Sequence, residues 1–155
     1  KKVILIGHSQ GCVIIYRYLQ QKNSHSTLFI TPAFDIQKII EKKLTNQEKK
    51  YLVTNTITKE FRTGVAKKIT PKWLQDYQSQ RYVKPLPKST YHAIFAKNDP
   101  VIDYQTNLQI YNNITHNAPH SFIEGNHIFS ENTEELLSLL RRFIRSVDSN
   151  SKNFI

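Results

Sequence analysis

A serine flanked by two glycines stands between an apolar run and a helix-like run near the start of this 155-residue chain. The apolar run, residues 3–6, has the composition of a buried strand, and residues 12–19 continue as a helix. Ser9 therefore lies at the apex of a sharp turn, in a strained conformation. We expect Gly7 and Gly11 to let the two arms of the turn pass closely. This order of elements predicts a nucleophile elbow.

An acid and a histidine follow further along the chain, each directly after a predicted strand. Asp99 follows the strand 93–96, and His127 follows the strand 121–123. The C-terminal ends of parallel strands converge at one edge of an open sheet, so Ser9, Asp99 and His127 can meet there. The chain order serine, acid, histidine is the order that accompanies a nucleophile elbow.

Three motifs give the chain a resemblance to a known superfamily. They are Gly-His-Ser-Gln-Gly at residues 7–11, Asn-Asp-Pro-Val at residues 98–101 and Gly-Asn-His-Ile-Phe at residues 125–129. Together they resemble the motifs of α/β-hydrolases, and in particular of compact bacterial serine esterases, over residues 3 to about 144. The resemblance implies an α/β fold with a mostly parallel sheet, flanking helices and a helical cap insertion.

The resemblance also implies a function and a role for each motif residue. It implies a serine hydrolase that cleaves a carboxylic ester or thioester of a small molecule through an acyl-enzyme. Ser9 is the expected nucleophile, His127 the base and Asp99 the residue that orients the base, while the backbone N–H of Gln10 is the expected oxyanion donor. His8 is expected to shape the pocket. The resemblance implies no cofactor and no metal, and the alternative is a non-catalytic scaffold or truncated remnant that acts as a binding module.

Several residues offer alternative assignments. Asp35 follows the predicted strand 26–30 and is a rival to Asp99, because some lipases carry the acid one strand earlier. Asp103 is better explained as a helix N-cap, and Glu124 is too near the histidine along the chain to orient it from a separate loop. Cys12 is read as a packed helix residue, with a reactive thiol as the alternative.

The chain divides into a core and an insertion. Residues 1–34 and 89–148 are expected to form the hydrolase core, residues 35–88 a helical cap with little strand character, and residues 149–155 a frayed tail. Within the core, the apolar stripe of a last helix at residues 133–147 should pack on the sheet.

The start of the chain leads to a further expectation. The sequence begins two residues before the elbow strand and contains no methionine. We therefore expect it to be the C-terminal part of a longer protein, whose earlier strands would supply the second oxyanion donor.

The net charge of +10 is concentrated in the insertion, where residues 35–88 contain thirteen Lys and Arg against five Asp and Glu. A solvated basic face is the main interpretation, with a weak attraction to anionic surfaces as the alternative. No nucleic-acid-binding motif accompanies the charge, so no nucleic-acid partner is expected. A single cysteine excludes an internal disulfide and is compatible with a cytoplasmic location. No apolar run is long enough to cross a membrane.

Overall fold

The computed structural model describes residues 3–21, 25–60, 66–78 and 84–149 of the chain. The chain divides into two compact units, one made of Lys1–Phe34 with Tyr82–Ile155 and the other of Asp35–Arg81. We call the first the sheet unit and the second the hairpin unit.

Twelve elements of secondary structure are present in the described part of the chain. The strands are β1 (Ile4–His8), β2 (Ser26–Ile30), β3 (Ile57–Glu60), β4 (Ala66–Ile69), β5 (Tyr91–Ala96) and β6 (His120–Ile123). The helices are α1 (Gln10–Leu19), α2 (Ile36–Lys43), α3 (Asn46–Tyr51), α4 (Pro71–Gln78), α5 (Tyr104–Thr115) and α6 (Thr133–Ser149).

The sheet unit contains a parallel sheet with the strand order β1-β2-β5-β6 in the described residues. Ile6 pairs with Leu28, Leu28 with His92, and Ile94 with Ser121. The two inner strands are rich in apolar residues because helices cover both of their faces. This architecture confirms the α/β fold with a mostly parallel sheet and flanking helices that the resemblance implied.

One face of the sheet packs against α6. The buried residues of this layer are Leu28, Ile30, Ile94, Ala96, Ile123, Phe129, Phe143 and Val147. The predicted packing of the last helix is therefore confirmed for Phe143 and Val147, whereas Ile144 stays 38% exposed at the margin of the stripe. Of the tail predicted at 149–155, residues 150–155 lie outside the described part of the chain.

Helices α1 and α5 cover the opposite face of the sheet through a set of aromatic contacts. The ring of Phe29 lies 6.0 Å from that of Tyr111 and 5.6 Å from that of Phe34, between ring centroids. Phe95 also contacts Tyr111 at 6.0 Å, and Tyr16 of α1 contacts Phe34 at 6.3 Å. Each such pair adds about 0.5–1.5 kcal/mol beyond the burial of apolar area, so this layer fixes the helices firmly against β2 and β5.

The hairpin unit has a hydrophobic core of its own, built from Ile40, Leu44, Leu52, Ile57 and Ile69. Strands β3 and β4 pair antiparallel here. The expectation of little strand character between residues 35 and 88 was therefore wrong for these two short strands. Among the side chains that the structure describes, each strand contributes one isoleucine to this core, Ile57 from β3 and Ile69 from β4. Two strands of four residues therefore carry too little alternation of apolar and polar residues to be recognised. Thr70 caps α4, because its Oγ1 accepts a hydrogen bond of 3.0 Å from the Trp73 N–H.

Candidate active site

Ser9 lies in the sharp turn between β1 and α1, where its backbone has φ 54° and ψ −121°. A non-glycine residue seldom adopts a positive φ, and holding it there costs about 1–3 kcal/mol. Two backbone hydrogen bonds hold the turn: the Ser9 N–H donates to the Ile30 carbonyl at 2.9 Å, and the Cys12 N–H donates to the Ser9 carbonyl at 3.1 Å. The predicted strand, turn and helix around the serine are therefore present.

The two glycines of the turn have different roles. A Cβ added at Gly7 would stand 2.8 Å from Ile15 Cδ1, 3.0 Å from the Cys12 nitrogen and 3.0 Å from the Gly11 carbonyl carbon. Apart from its chain neighbours and the backbone of its own helix, a Cβ at Gly11 would meet no described atom within 4 Å. The close passage of the two arms therefore requires glycine at residue 7 and, contrary to the sequence interpretation, not at residue 11.

Asp99 lies in the loop after β5, and three hydrogen bonds fix its carboxylate. Oδ1 accepts from the N–H groups of Val101, at 2.7 Å, and Ile102, at 3.0 Å. Oδ2 accepts from His127 Nδ1 at 2.6 Å. Burial raises the pKa of the Asp99 carboxyl, but the hydrogen bonds from His127, Ile102 and Val101 outweigh burial, and the pKa lies below its ordinary value of 3.8. Asp99 is therefore an anion at neutral pH.

His127 lies in the loop after β6, and Asn126 shapes that loop. Asn126 Oδ1 accepts hydrogen bonds from the N–H groups of Ile128 and Ser130, at 3.1 and 3.3 Å. Buried Phe129 has φ 54°, which turns the chain sharply back towards α6. A short turn closed by its own side chain thus presents the imidazole at the C-terminal edge of the sheet.

The structure brings Ser9, His127 and Asp99 into one chain of hydrogen bonds. His127 Nε2 lies 3.0 Å from Ser9 Oγ, and His127 Nδ1 faces Asp99. An ionised carboxylate only accepts, so Nδ1 carries the hydrogen, and Nε2 of the neutral ring is then an acceptor for the Ser9 hydroxyl. This arrangement is able to remove a proton from the serine and hold the resulting positive charge beside an anion.

The other acidic residues have different partners. Asp35 precedes α2 and forms an ion pair of 3.2 Å with Lys38. Asp103 is the N-cap of α5, as expected, and accepts from the Gln105 N–H at 3.1 Å. Glu124 is exposed and pairs with Lys97 at 2.7 Å. Because Asp99 already occupies Nδ1 of His127, the geometry favours it over Asp35 as the acid of this site.

Gln10 and Cys12 both lie in α1. Gln10 is the first residue of the helix, so its backbone N–H belongs to the N-terminal turn, where helix N–H groups gather partial positive charge. Its assignment as oxyanion donor stays a prediction. Cys12 is fully buried, and its Sγ donates to the Gly7 carbonyl at 3.1 Å. Burial raises the pKa of the Cys12 thiol far above its usual range, which favours the packing role over a reactive thiol.

Two features of the site were not predicted from the sequence. Glu124 links the acid loop to the histidine loop, because it accepts hydrogen bonds from Lys97 and from Asn98 Nδ2, at 2.7 and 3.3 Å. His8 Nε2 lies 2.9 Å from the backbone carbonyl of His127. The sequence analysis expected His8 to shape the pocket, but no sequence pattern reveals its contact with a residue 119 positions away.

Neither metal-binding clusters nor membrane-crossing helices are found in the part of the chain that the structure describes. No group of three or more His, Cys, Asp or Glu side chains there could hold a metal ion. None of its helices combines the length and apolarity that crossing a bilayer requires.

Known structures with the same architecture were found by comparison, although the sequence itself matches no protein-family model and no curated protein. A structure from Agrobacterium vitis S4 aligns with a TM-score of 0.74 at 20% identity, over 92% of this chain and 61% of that one. Mouse alpha/beta hydrolase domain-containing protein 10 aligns with a TM-score of 0.71 at 14% identity, over 94% and 63%. Est1E from Butyrivibrio proteoclasticus, solved with bound ferulic acid, aligns with a TM-score of 0.74 at 14% identity, over 94% and 59%.

These alignments cover nearly all of the present chain and about three fifths of each of the three similar structures. Identities of 14–20% carry information about architecture and not about chemistry. The TM-scores of 0.71–0.74 show that the arrangement of strands and helices is shared. The chain therefore has the α/β-hydrolase fold.

Proposed function

We propose that this protein is a serine hydrolase that cleaves a carboxylic ester or thioester of a small molecule through an acyl-enzyme intermediate. The observation that carries the proposal is the continuous chain of hydrogen bonds from Ser9 Oγ through the His127 imidazole to the Asp99 carboxylate. Such a series of hydrogen bonds prepares the serine to attack an acyl carbon, because the alkoxide forms only as the hydroxyl proton leaves.

In the acylation step, His127 Nε2 takes the Ser9 proton as Oγ attacks the carbonyl carbon. Asp99 stabilises the imidazolium and keeps Nδ1 protonated. The negative charge moves to the carbonyl oxygen, where the N–H of Gln10 is the assigned donor. His127 then returns the proton to the departing alcohol or thiol. Water repeats the same sequence in deacylation and releases the carboxylic acid.

The choice of first substrates follows from the chemistry and from one similar structure. Est1E binds ferulic acid, an aromatic carboxylic acid. Alkyl esters of aromatic carboxylic acids, with the corresponding thioesters, are therefore the first compounds to assay with this chain.

The hairpin unit supports a weak attraction to anionic surfaces as a secondary property. Residues 35–81 contain eleven Lys and Arg against five Asp and Glu. Two of those acids, Asp35 and Glu48, form ion pairs within the unit, with Lys38 and Lys59. Several lysines are exposed, among them Lys42, Lys49, Lys50, Lys68 and Lys72. This attraction, like the cytoplasmic location, stays a prediction.

The test is covalent labelling with a fluorophosphonate probe, which reacts only with an activated serine. The probe is applied to the 155-residue chain and to the product of the complete reading frame that encodes it. We expect labelling that is lost in Ser9→Ala and kept in Ser146→Ala, a matched control at an exposed serine of α6. A folded protein that takes up no label would contradict the proposal and favour the non-catalytic scaffold. Label that persists in Ser9→Ala would place the reactive serine elsewhere.

A further inference from the structure

His8 connects the two parts of the chain that carry the reacting groups. It is the last residue of β1, directly before Ser9, and its Nε2 lies 2.9 Å from the backbone carbonyl oxygen of His127. Its ring also lies against the His127 ring, with 4.9 Å between centroids and an angle of 43° between planes. We propose that His8 is a positioning residue that sets the distance between nucleophile and base; this inference rests on the proposed function.

The contact fixes the tautomer of His8. A backbone carbonyl only accepts hydrogen bonds, so Nε2 of His8 must carry the hydrogen and donate it. The side chain is exposed, so the other ring nitrogen, Nδ1, needs no buried donor as its partner. The hydrogen bond therefore requires only that His8 have an N–H at the Nε2 position.

The hydrogen bond from His8 acts on the backbone of His127, a part of the histidine loop that the Asn126 side chain does not bind. Asn126 holds the backbone downstream of the imidazole, through Ile128 and Ser130. His8 instead binds the carbonyl of His127 itself. The backbone of the base is thereby attached to the strand that ends in the nucleophile, without passing through the imidazole that must accept and release a proton.

The ring contact adds a second constraint. With the His8 ring on one side and Asp99 Oδ2 2.6 Å from Nδ1, the imidazole of His127 is restricted in both rotation and translation. The reacting distance from His127 Nε2 to Ser9 Oγ is 3.0 Å. A misplacement of about 1 Å in such a geometry lowers the rate by about 10²-fold, so a positioning residue has a measurable kinetic effect.

Two variants separate the hydrogen bond from the ring contact. His8→Phe keeps an aromatic ring against His127 and removes the donor. His8→Gln removes the ring and places an amide N–H at a reach similar to that of Nε2. The readout is the second-order rate constant of fluorophosphonate labelling, together with kcat and KM for an ester that the parent hydrolyses, each measured beside the free energy of unfolding.

We expect His8→Phe to lower the labelling rate constant and kcat by about 10- to 100-fold with KM little changed, and His8→Gln to restore most of the lost rate. A His8→Phe variant that is labelled at the parent rate would overturn the inference. So would a loss of rate that follows the loss of unfolding free energy equally in both variants, because a purely structural role would act on the rate only through stability. Failure of the parent to label would instead refute the proposed function.

A measurement on the unaltered protein covers the case in which His8→Phe does not fold. Nitrogen-15 NMR of the imidazoles, at a pH where His8 is neutral, distinguishes the two tautomers. We expect the Nε2–H tautomer for His8. The Nδ1–H tautomer would overturn the inference, because it has no hydrogen at Nε2 to donate.

Discussion

Replacing Asp99 by asparagine exchanges one carboxylate oxygen for an NH₂ group and reverses the direction of the hydrogen bond to His127. In the parent, Oδ1 accepts two backbone N–H groups, from Val101 and Ile102, and Oδ2 accepts from His127 Nδ1. The asparagine oxygen must stay at the Oδ1 position, because only an acceptor satisfies those two donors. Its NH₂ group is therefore directed at Nδ1 of His127.

The consequence is a change of tautomer in the imidazole. Nδ1 can meet the new amide donor only as an acceptor, so the ring hydrogen moves to Nε2. His127 then donates towards Ser9 Oγ and is unable to accept its proton. The variant also loses the anion that stabilises the imidazolium. We expect kcat to fall by about 10⁴-fold, equivalent to about 5 kcal/mol of transition-state stabilisation.

The assay is ester hydrolysis together with fluorophosphonate labelling of Asp99→Asn. The first control is Asp103→Asn, which keeps an N-cap oxygen for α5 and should leave activity near the parent level. The second is Asp35→Asn, which should also have little effect. A folded Asp99→Asn variant within about tenfold of the parent would refute the reasoning. A loss of activity in Asp35→Asn instead would move the acid to the loop after β2.

The Asp99→Asn variant also tests the lowered pKa of the Asp99 carboxyl, through the pH dependence of the free energy of unfolding. Hydrogen bonds hold the pKa of Asp99 below its ordinary value of 3.8 in the folded chain. A depressed pKa stabilises the fold above the unfolded pKa, and this contribution is lost as pH falls through the folded pKa. We therefore expect the difference in unfolding free energy between parent and Asp99→Asn to shrink as pH falls below about 4. A difference that is constant or grows down to about pH 2 would contradict the assignment.

Two further predictions concern α1 and the turn before it. Gly7→Ala should lower the unfolding free energy by about 1–3 kcal/mol in urea denaturation, because its Cβ overlaps the start of α1. The unfolding free energy of Gly11→Ala should stay within about 1 kcal/mol of the parent value or exceed it. Equal losses at the two positions would count against the close approach at Gly7. Because the thiol is buried, Cys12 should resist iodoacetamide in the folded protein and react after unfolding. Cys12→Ser should keep ester hydrolysis near the parent level. Rapid alkylation of the native protein would instead show an accessible thiolate.

Local patterns predicted those elements whose sequence signal is long or chemically distinctive. The predicted strand 26–30 matches β2, and the predicted helix 133–147 lies within α6. Each of these elements has an apolar pattern imposed by burial. The hairpin β3-β4 has no such pattern, because mostly polar and charged residues surround its two core isoleucines. Its pairing depends on helices elsewhere in the hairpin unit, which supply the rest of the core.

The sequence by itself determined the order of the elements and the residue types available at the C-terminal edge of the sheet. A serine in a glycine-flanked turn, an acid before proline and a histidine in a tight loop are local features, and local chemistry reveals them. Tertiary structure alone decided which atoms meet. Parallel strand pairing brings Ser9 within 3.0 Å of a histidine 118 residues away, and the two backbone donors at Asp99 determine which of its oxygens faces that histidine. The link from His8 to the His127 carbonyl arises in the same way, because distances between loops depend on strand register and layer packing, which no short segment of sequence specifies.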